Sequence, residues 1–461
     1  AVDMEFGTGV MTITPWHDTT DFEIAERHNL DKEQIIDLKG KLLPIAQEFT
    51  GLHITKARPL IIQKLQEKGL VQKIDENYIH RIAINSRGNG IIEPQIMRQW
   101  FINVNKPFAF PHTGLKCIKK GELISLKDIM ARVVKKKEIE VLPKRFEKTY
   151  FHWINNLRDW CISRQIWFGH QIPVWYKNKE TYVGIKAPTG KEWTQDTDTL
   201  DTWFSSGLWT FSTLGWPQKT KDLETFHPTS VLETGYDILF FWVARMILMT
   251  TYLVGQIPFQ TVYLHGLVRD DKGRKMSKSL GNIIDPLDMI NKYGADATRL
   301  SLIIGAAPGN DIKISEDKVR GYRNFVNKIW NISRFLAMNT QDFNEKEKTT
   351  VNAADKKLLN NIAKLAKEIT KEIDSFHLSQ AADKLYHYTW HVFADKIIED
   401  SKKLLENPKT RASRQYALLT IFSELLKLLH PFVPFITEAI YPQLPGKKGC
   451  VLMGESWPTI K

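Results

Sequence analysis

The sequence predicts an α/β protein in which a parallel sheet precedes an all-helical domain. Between about residues 81 and 311, short apolar runs bounded by Gly and Pro alternate with longer helical stretches, as in "TSVLET" before the apolar helix at 236–254. Strand, helix and strand in this order favour a parallel sheet. After residue 312 the strand signals stop. One helical face there is marked, at the i, i+3, i+4 period, by Ile362, Leu365, Ile369 and Ile373.

These patterns divide the chain into three predicted regions. Residues 1–80 alternate short apolar runs with turn signals before a helix expected after Pro59, which indicates a small α/β unit. Residues 81–311 contain the parallel sheet. Residues 312–461 form a helix bundle, in which the two prolines of "HPFVPF" end one helix and begin the next.

Composition indicates a multidomain globular protein with a polyanionic partner as one interpretation. The 461 residues are 43% hydrophobic, enough for several cores. Lys and Arg number 64 against 52 Asp and Glu, a formal charge of +12 that favours nucleic acid. Heavy lysine usage by an AT-rich genome gives the same balance, so composition leaves both interpretations open.

Cysteine usage and hydropathy exclude several classes. The three cysteines form no C-x-x-C pair, so we expect neither a disulfide framework nor a zinc site, and we predict a reducing, cytoplasmic location. The apolar run 238–254 has Arg245 at its middle, which favours a buried helix over a membrane span. The chain opens at Ala1 with motif-bearing sequence, and we expect further sequence upstream.

The stretch "DDKGRKMSKSLGN", residues 270–282, carries the strongest local signal. Lys275 and Lys278 lie three apart among Ser and Gly, which suits a mobile arm over a polyphosphate, although a solvated turn looks similar. Upstream, Gly235 and Asp237 follow a predicted strand. Glycine allows close backbone approach to a nucleotide and a carboxylate can bind ribose hydroxyls. Alone, this pair is more typical of a helix N-cap, and the lysine motif after a strand reverses that preference.

Five motifs together resemble the class I aminoacyl-tRNA synthetases, and among them the valyl family, in that family's order along the chain. They are "DWCISRQIWFGHQIPVWY" at 159–176, "DTWFSSGLW" at 201–209, "ETGYDILFFWVARM" at 233–246, "KMSKS" at 275–279 and "LLHPFVPFITE" at 428–438. The isoleucyl and leucyl families remain alternatives. The resemblance implies half of a class I nucleotide-binding, Rossmann-like parallel sheet, part of an editing domain in 1–80, and an anticodon-binding domain in 312–461.

The resemblance also implies the reaction and its residues. Valine attacks the α-phosphate of ATP, bound with Mg²⁺, and the valyl group then moves from the adenylate to tRNA. Lys275 and Lys278 would stabilise the departing pyrophosphate as catalytic residues. The implied ATP-binding residues are Gly235, Asp237, Met276, Ser277 and Lys278. The implied valine-binding residues are Trp203, Ile238 and Trp242, the last two predicted on one helix face because they are four apart.

An apolar valine pocket cannot strongly reject threonine, and valyl enzymes are a known example of this limit. The resemblance therefore implies hydrolytic editing of threonyl-tRNA. The implied editing residues are Phe6, Thr14, Asp18 and Asp21. Thr12 occupies a position where the family usually has lysine, which affects the expected editing strength. Asp18 and Asp21 are also candidates for capping a helix at 21–28.

The sequence contains no H-x-G-H, the second nucleotide-binding signature of the family. We therefore expect that half of the ATP site lies upstream of Ala1 and that these 461 residues alone are inactive. The predicted partners are valine tRNA, L-valine and ATP, with no membrane, and the complete enzyme is predicted to be a monomer. A non-catalytic tRNA-binding half-enzyme is the alternative.

Overall fold

The structure is a computed structural model that describes residues 5, 9–79, 81–85, 88–190, 192–277, 280–344 and 349–458. Its contacts divide the chain into two compact units, Ala1–Trp100 and Phe101–Lys461. The first unit thus extends some residues beyond the boundary predicted at 80. The second unit holds both the sheet and the helix bundle.

The first unit is mainly helical in its described residues. Its elements are the α-helices Thr19–His28 and Ile54–Glu67 and the 3₁₀ helix Pro44–Phe49. Its strand pairing is limited, in the part described, to isolated bridges such as Ile36 with Leu42, so the predicted α/β character is weak here. The second helix begins at Ile54, before Pro59 instead of after it. The ring of His53 accepts a hydrogen bond from the Thr55 amide and so caps the helix one turn earlier.

The second unit is built around a three-stranded parallel sheet. Its central strand, Phe259–His265, lies between Thr229–Gly235 and Glu140–Leu142. The parallel arrangement of the two longer strands was predicted from the sequence and is confirmed. Within the described residues each outer strand pairs with the central strand alone.

Short elements surround this sheet. The paired strands outside it are Phe101–Ile102 with Trp160–Cys161, Phe108–Ala109 with Leu123–Ile124, Ser163–Arg164 with Thr199–Leu200, Val174–Lys177 with Glu180–Val183 and Thr194–Gln195, and Val268–Arg269 with Ile312–Lys313. The helices are Leu126–Lys135, Arg145–Asn155, Thr202–Gly207, Trp209–Ser212, Lys221–Phe226, Ala244–Leu253, Pro286–Tyr293 and Ala295–Ile303.

The apolar run after the first long strand forms a continuous helical segment of three types. It is 3₁₀ over Tyr236–Ile238, π over Leu239–Val243 and α over Ala244–Leu253. By length and composition the 18 residues 236–253 could cross a membrane, but 56% of them are buried inside the protein. Val243, Met246 and Ile247, for example, belong to the hydrophobic core that includes Val262 and Leu264 of the central strand, called here the sheet-side core. The segment packs as the core helix that the sequence predicted.

The helix bundle follows the last short strand. Its elements are Glu316–Asn339, Ala353–Asp374, Leu378–His387, the π segment Tyr388–Ile398, Glu399–Glu406, Pro408–Leu429, Pro434–Ile440 and the 3₁₀ turns Tyr441–Gln443 and Leu452–Gly454. The predicted helical face is confirmed, since Ile362 and Ile369 are buried and Leu365 and Ile373 pack against the same core. Leu300 also belongs to this core, so the last sheet-side helix packs directly on the bundle.

Candidate active site

Two parallel strands end side by side at Gly235 and His265, which are register partners. A Cβ atom on Gly235 would lie 2.6 Å from Oδ1 of Asp237, too close for real atoms. Glycine therefore lets the Asp237 carboxylate lie beside the strand end. Asp237 lies inside the first helical turn, and Gly235 occupies the cap position without a side-chain hydrogen bond, so Asp237 is not the N-cap. The carboxylate stays exposed.

A second close approach at this edge was missed by sequence reasoning. A Cβ atom on Gly266 would lie 1.9 Å from the carbonyl oxygen of Asn310, so only glycine fits. Next to it, the Asp311 carboxylate accepts hydrogen bonds from the Leu267 amide at 2.8 Å and from Nε of Arg269 at 2.5 Å. The glycine directly after a strand could have indicated a close approach of this kind. The partners of 266 and 267, Asn310 and Asp311, lie more than forty positions later and could not be recognised from the sequence.

These hydrogen bonds set the charge state of the site. Burial acts to raise the pKa of Asp311, but the hydrogen bonds from Leu267 and Arg269 outweigh it and hold the pKa below its usual value. Arg269 in turn has its pKa raised, chiefly by its hydrogen bond to Asp311. The strand end therefore carries a fixed carboxylate–guanidinium pair beside the backbone of 266–269.

A cavity of about 320 Å³ lies at this edge, lined in part by Glu233, His265 and Gly266. Nε2 of His265 lies 3.1 Å from Oε1 of Glu233 at its rim. A larger cavity, about 1070 Å³, lies at the opposite end of the same strands, beside Pro228 and Thr261. Ligands of open parallel sheets bind beyond the carboxyl ends of the strands. The smaller cavity lies at that end, but none of the predicted ATP- or valine-binding residues within the described part of the chain lines it.

The lysine loop, residues 270–282, leaves the sheet at the same edge. Its residue Lys275 forms an isolated bridge with Arg269, the last residue of the short strand Val268–Arg269. Lys275 is exposed, whereas Met276 is half-buried and packs against a small core containing Met289 and Val319. Ser277 lies at the turn, and its amide donates to Asn282. Lys278 lies outside the described residues.

The predicted valine-binding residues lie on two neighbouring segments. The Trp203 ring, in the helix Thr202–Gly207, stacks on Phe241 at a centroid distance of 5.8 Å. The Trp242 ring lies 6.0 Å from the ring of Trp209. Nε1 of Trp242 donates to the carbonyl of Ser206 at 3.1 Å. The two indoles thus have different aromatic partners, and a pocket walled by both stays a prediction.

The regular helix assumed for Ile238 and Trp242 is not observed. Ile238 ends a 3₁₀ turn at φ −108° and ψ 15°, and Trp242 lies in the π segment that follows. A π segment has a wider turn than an α-helix, so the spacing alone does not fix a common face. Both side chains are half-buried, and a shared face stays a prediction.

A buried charge cluster beside these aromatic rings was not predicted. Oδ2 of Asp201 accepts from Nε1 of Trp160 at 3.1 Å and pairs with Nη2 of Arg164 at 3.1 Å. The guanidinium of Arg245 lies over the Trp160 ring, 4.0 Å from its centroid. Burial lowers the pKa of Arg245 to about 10, with Asp201 acting in the opposite direction. The arginine that argued against a membrane span is thus a core cation stacked on an aromatic ring.

Three of the four predicted editing residues lie together in the first unit. The Asp18 carboxylate caps the helix Thr19–His28 by accepting from the amides of Thr20 at 2.8 Å and Asp21 at 2.9 Å. The Asp21 carboxylate accepts from the Thr14 amide at 2.7 Å, and its Oδ2 lies 3.4 Å from Oγ1 of Thr14. The capping role considered for Asp18 is confirmed. Phe6, the fourth residue, lies outside the described residues.

No group of three or more His, Cys, Asp or Glu side chains able to hold a metal ion occurs within the described ranges. The three cysteines form no disulfide with one another and are half-buried. Burial, followed by the Glu138 carboxylate, raises the pKa of the Cys117 thiol to about 12, which makes it a poor metal ligand at neutral pH.

Comparison with protein families assigns this architecture. The family "tRNA synthetases class I (I, L, M and V)" matches residues 13–192 and 185–315, more than half of the chain. The chain belongs to this family. The "anticodon-binding domain of tRNA ligase" matches residues 355–461, within the helix bundle.

Relatives of this class I synthetase chain include valine–tRNA ligases from several bacteria. The chain is 44% identical to that of Clostridium tetani and 41% identical to that of Bacillus subtilis, in each case over 100% of the chain. It is 44% identical to that of Symbiobacterium thermophilum over 96% of the chain. The chain spans about half the length of these relatives, 51%, 51% and 48% respectively.

Solved structures of class I synthetases share the fold. LeuRS of Agrobacterium radiobacter K84, in a ternary complex, has a TM-score of 0.56 at 18% identity, covering 100% of this chain and 51% of that chain. Methionyl-tRNA synthetase of Mycobacterium tuberculosis, with methionyl-adenylate, has a TM-score of 0.58 at 17% identity, covering 77% of this chain and 64% of that chain. At these identities the likeness supports the fold alone.

Proposed function

We propose that the chain contributes to the ATP-dependent ligation of L-valine to valine tRNA through valyl-adenylate. The observation that carries the proposal is the 41–44% identity to valine–tRNA ligases along nearly the whole chain. The lysine loop and the Gly235–Asp237 turn lie at the sheet edge where a nucleotide would bind. On this proposal the sheet is half of a nucleotide-binding fold, and residues 312–461 bind the tRNA anticodon region.

The proposed mechanism uses the chain's residues for positioning and charge. Asp237 would bind the ribose hydroxyls of ATP, while Gly235 would allow the backbone to approach the adenosine closely. Lys275, Met276, Ser277 and Lys278 would lie along the triphosphate, with the two lysines stabilising the pyrophosphate as it leaves. The residues proposed to contact valine are Trp203, Ile238 and Trp242. Mg²⁺ would arrive with ATP, and no zinc is proposed.

The proposed setting is a cytoplasmic enzyme, monomeric when complete, without a membrane contact. The basic charge of the chain supports a tRNA partner, because each phosphate contact releases counterions. Isoleucyl and leucyl enzymes remain the competing assignments within the class. A tRNA-binding half-enzyme without catalysis is the competing assignment outside it, supported by the absence of H-x-G-H from the sequence.

The first prediction is that the natural full-length protein catalyses valine-dependent ATP–pyrophosphate exchange, whereas a polypeptide of these 461 residues alone does not. Adenylate formation needs groups held to about half an ångström, and the sequence lacks one family nucleotide-binding motif. Exchange would be measured with valine, isoleucine and leucine in parallel. Preference for isoleucine or leucine would reassign the amino acid. Robust exchange by the 461 residues alone would refute the half-site argument.

We further propose that the first unit takes part in hydrolysis of threonyl-tRNA. The support is the Thr14–Asp21 contact, which presents a carboxylate and a hydroxyl together, as recognition of an amino group and a hydroxyl requires. Thr12 is exposed nearby in sequence and supplies no charge. Editing by this chain is therefore proposed to proceed without the cation usual at that position.

The second prediction is that Asp21→Ala abolishes clearance of threonyl-tRNA by the natural full-length protein and leaves valine charging unchanged. The alanine removes the acceptor of the Thr14 amide together with the carboxylate proposed to hold the amino group. Deacylation of preformed threonyl-tRNA gives the readout. Asp31→Ala, at an exposed carboxylate after the same helix, is the control. Equal deacylation by the Asp21 and Asp31 variants would remove Asp21 from the site.

A further inference from the structure

The lysine loop is organised around one nearly buried carboxylate. Asp270 has only 4% of its surface exposed. It accepts hydrogen bonds from the Arg274 amide at 2.7 Å, from Nε of Arg274 at 2.8 Å and from Nδ2 of Asn282 at 3.0 Å. Asp270 and Asn282 are the first and last residues of the loop, so this contact closes it.

The carboxamide of Asn282 also holds the loop backbone. Its Nδ2 donates to the carbonyl of Lys275 at 3.2 Å, and its Oδ1 accepts from the amide of Ser277 at 3.0 Å. One side chain thus binds the backbone on both sides of Met276. Met276 packs against a small core that includes Met289 and Val319. The segment 275–277 is therefore fixed by a side-chain clamp and by an apolar anchor.

The clamp is connected to the sheet edge of the candidate site. Arg269 directly precedes Asp270. Its guanidinium pairs with the Asp311 carboxylate, and its backbone forms an isolated β-bridge with Lys275. The hydrogen bond from Asn282 is the leading reason that the pKa of Asp270 falls to about 2. The carboxylate is therefore ionised at neutral pH, and the clamp keeps its charge-assisted hydrogen bonds.

We propose that Asp270 and Asn282 are positioning residues, which together hold the backbone of Lys275–Ser277 where the lysine loop can close on the triphosphate of ATP. Neither side chain is proposed to touch ATP. The role rests on the proposed function. It adds to that function the two groups, the Asp270 carboxylate and the Asn282 carboxamide, that set the position of 275–277.

The chemistry of position 282 explains why an amide is needed. An amide donates to Asp270 and Lys275 and accepts from Ser277 at the same time, which a carboxylate, an alcohol or an apolar side chain cannot do. In Asn282→Asp the new carboxylate would face the Asp270 carboxylate and the Lys275 carbonyl without a hydrogen to donate to either. It would also place two carboxylates side by side. Asn282→Ala would leave the backbone groups of the loop without these partners. Both changes are local, because the loop lies outside the two main cores.

The test measures single-turnover valyl-adenylate formation and ATP binding in the natural full-length protein. For Asn282→Ala and Asn282→Asp we expect the rate of adenylate formation to fall by about 10- to 100-fold, the scale for misplaced reacting groups, with ATP affinity nearly unchanged. Trypsin cleavage after Arg274 and Lys275, mapped by mass spectrometry, should accelerate in the same variants. Asp271→Asn changes the neighbouring exposed carboxylate and should behave as the unmodified protein.

The reversed pair, Asp270→Asn with Asn282→Asp, tests the contact itself. It restores one donor and one carboxylate across the loop, so adenylate formation should recover at least about fivefold relative to Asn282→Asp alone, which reflects coupling between the two positions. A reversed pair no faster than the single variant would overturn the pairing. If ATP affinity falls by the same factor as the rate of adenylate formation, Asp270 and Asn282 act in ATP binding, and the positioning role is overturned.

The two proposals fail in distinguishable ways. If the unmodified protein makes no adenylate with valine, the proposed function fails, and this role fails with it. If the unmodified protein is active and the Asn282 variants stay within about threefold of it, the positioning role alone is overturned, even where trypsin cleaves the loop faster.

Discussion

Replacing Lys278 by alanine in the natural full-length protein is expected to lower valine-dependent ATP–pyrophosphate exchange by about a hundredfold or more. This is the scale for removing one preorganised charge stabiliser from a transition state. On the proposed function, the reaction would involve no covalent bond to the protein, so positioning and charge would supply the catalysis. The protein should keep its fold, because the lysine loop lies outside the two main cores.

The structure supports this expectation through the neighbours of Lys278. The loop starts at the carboxyl edge of the parallel sheet, where Arg269 bridges Lys275. The segment just before Lys278 is clamped by Asn282. The backbone of 275–277 therefore has a defined place at this edge, which a freely solvated turn would not have.

Lys272→Ala is the matched control for Lys278→Ala. Lys272 is an exposed lysine of the same loop that lies outside the "KMSKS" motif. Its replacement removes the same charge from the same loop, so a general electrostatic effect would appear equally in both variants. A fall in the exchange rate of less than about threefold for Lys278→Ala, or equal falls for the two variants, would contradict the role assigned to the motif.

The second large effect is expected in the helix bundle, where Asp355→Ala should destabilise the helices Ala353–Asp374 and Pro408–Leu429. Asp355 has 0% of its side chain exposed and Arg414 has 7%, with Nη2 of Arg414 2.9 Å from Oδ1 of Asp355. Removing one member of a buried ion pair leaves the other charge uncompensated. The loss of stability for such a change is about 3–5 kcal/mol.

The two oxygens of Asp355 have different environments. Oδ2 accepts from Oγ of Ser413 at 2.5 Å and from Nδ2 of Asn352 at 2.8 Å. Oδ1 approaches Arg414 as an ion pair without hydrogen-bond geometry, and it has no hydrogen-bond partner within the described residues. Asn352 caps the helix through the Asp355 amide. Asp355 therefore joins the start of one long helix to another through charge and hydrogen bonds.

Amide hydrogen exchange in the two helices is the measurement for Asp355→Ala, because it reports local stability in a protein of several domains. The control is Asp395→Ala, which breaks the exposed pair between Asp395 and Lys328 and should change protection much less. Asp355→Ala combined with Arg414→Met removes both charges and should recover much of the lost protection. Unchanged exchange in Asp355→Ala would show that the buried pair does not stabilise the bundle.

Local sequence signals predicted the elements well where one rule dominated. The apolar run "TSVLET" became a strand of the parallel sheet, because β-branched and apolar residues bounded by turn residues pack on both faces of a sheet. The spacing of Ile362 and Ile369 identified the buried face of a long helix. Asp18, considered with Asp21 as a cap for a helix at 21–28, caps the helix that begins at Thr19.

Local signals were less accurate where tertiary packing overrode them. The Pro59 signal placed a helix start too late, since His53 supplies a cap before it. The spacing of Ile238 and Trp242 assumed a regular α-helix, but the strand-to-helix turn is 3₁₀ and then π. Such irregular turns depend on what the backbone must pack against, which no local spacing contains.

The sequence by itself determined the residue types of the site, the order of the domains and the motif of the lysine loop, because each is a short-range pattern. Only the tertiary structure decided which distant groups meet. Gly266 faces Asn310, Asp311 binds Arg269, Asp201 joins Trp160 and Arg164, and Asn282 returns to Asp270. The first two contacts form because parallel strands bring their carboxyl ends to one edge. Asp201 meets Arg164 beside an antiparallel strand pair, and Asn282 meets Asp270 across one loop, so these contacts too depend on how the chain folds back on itself.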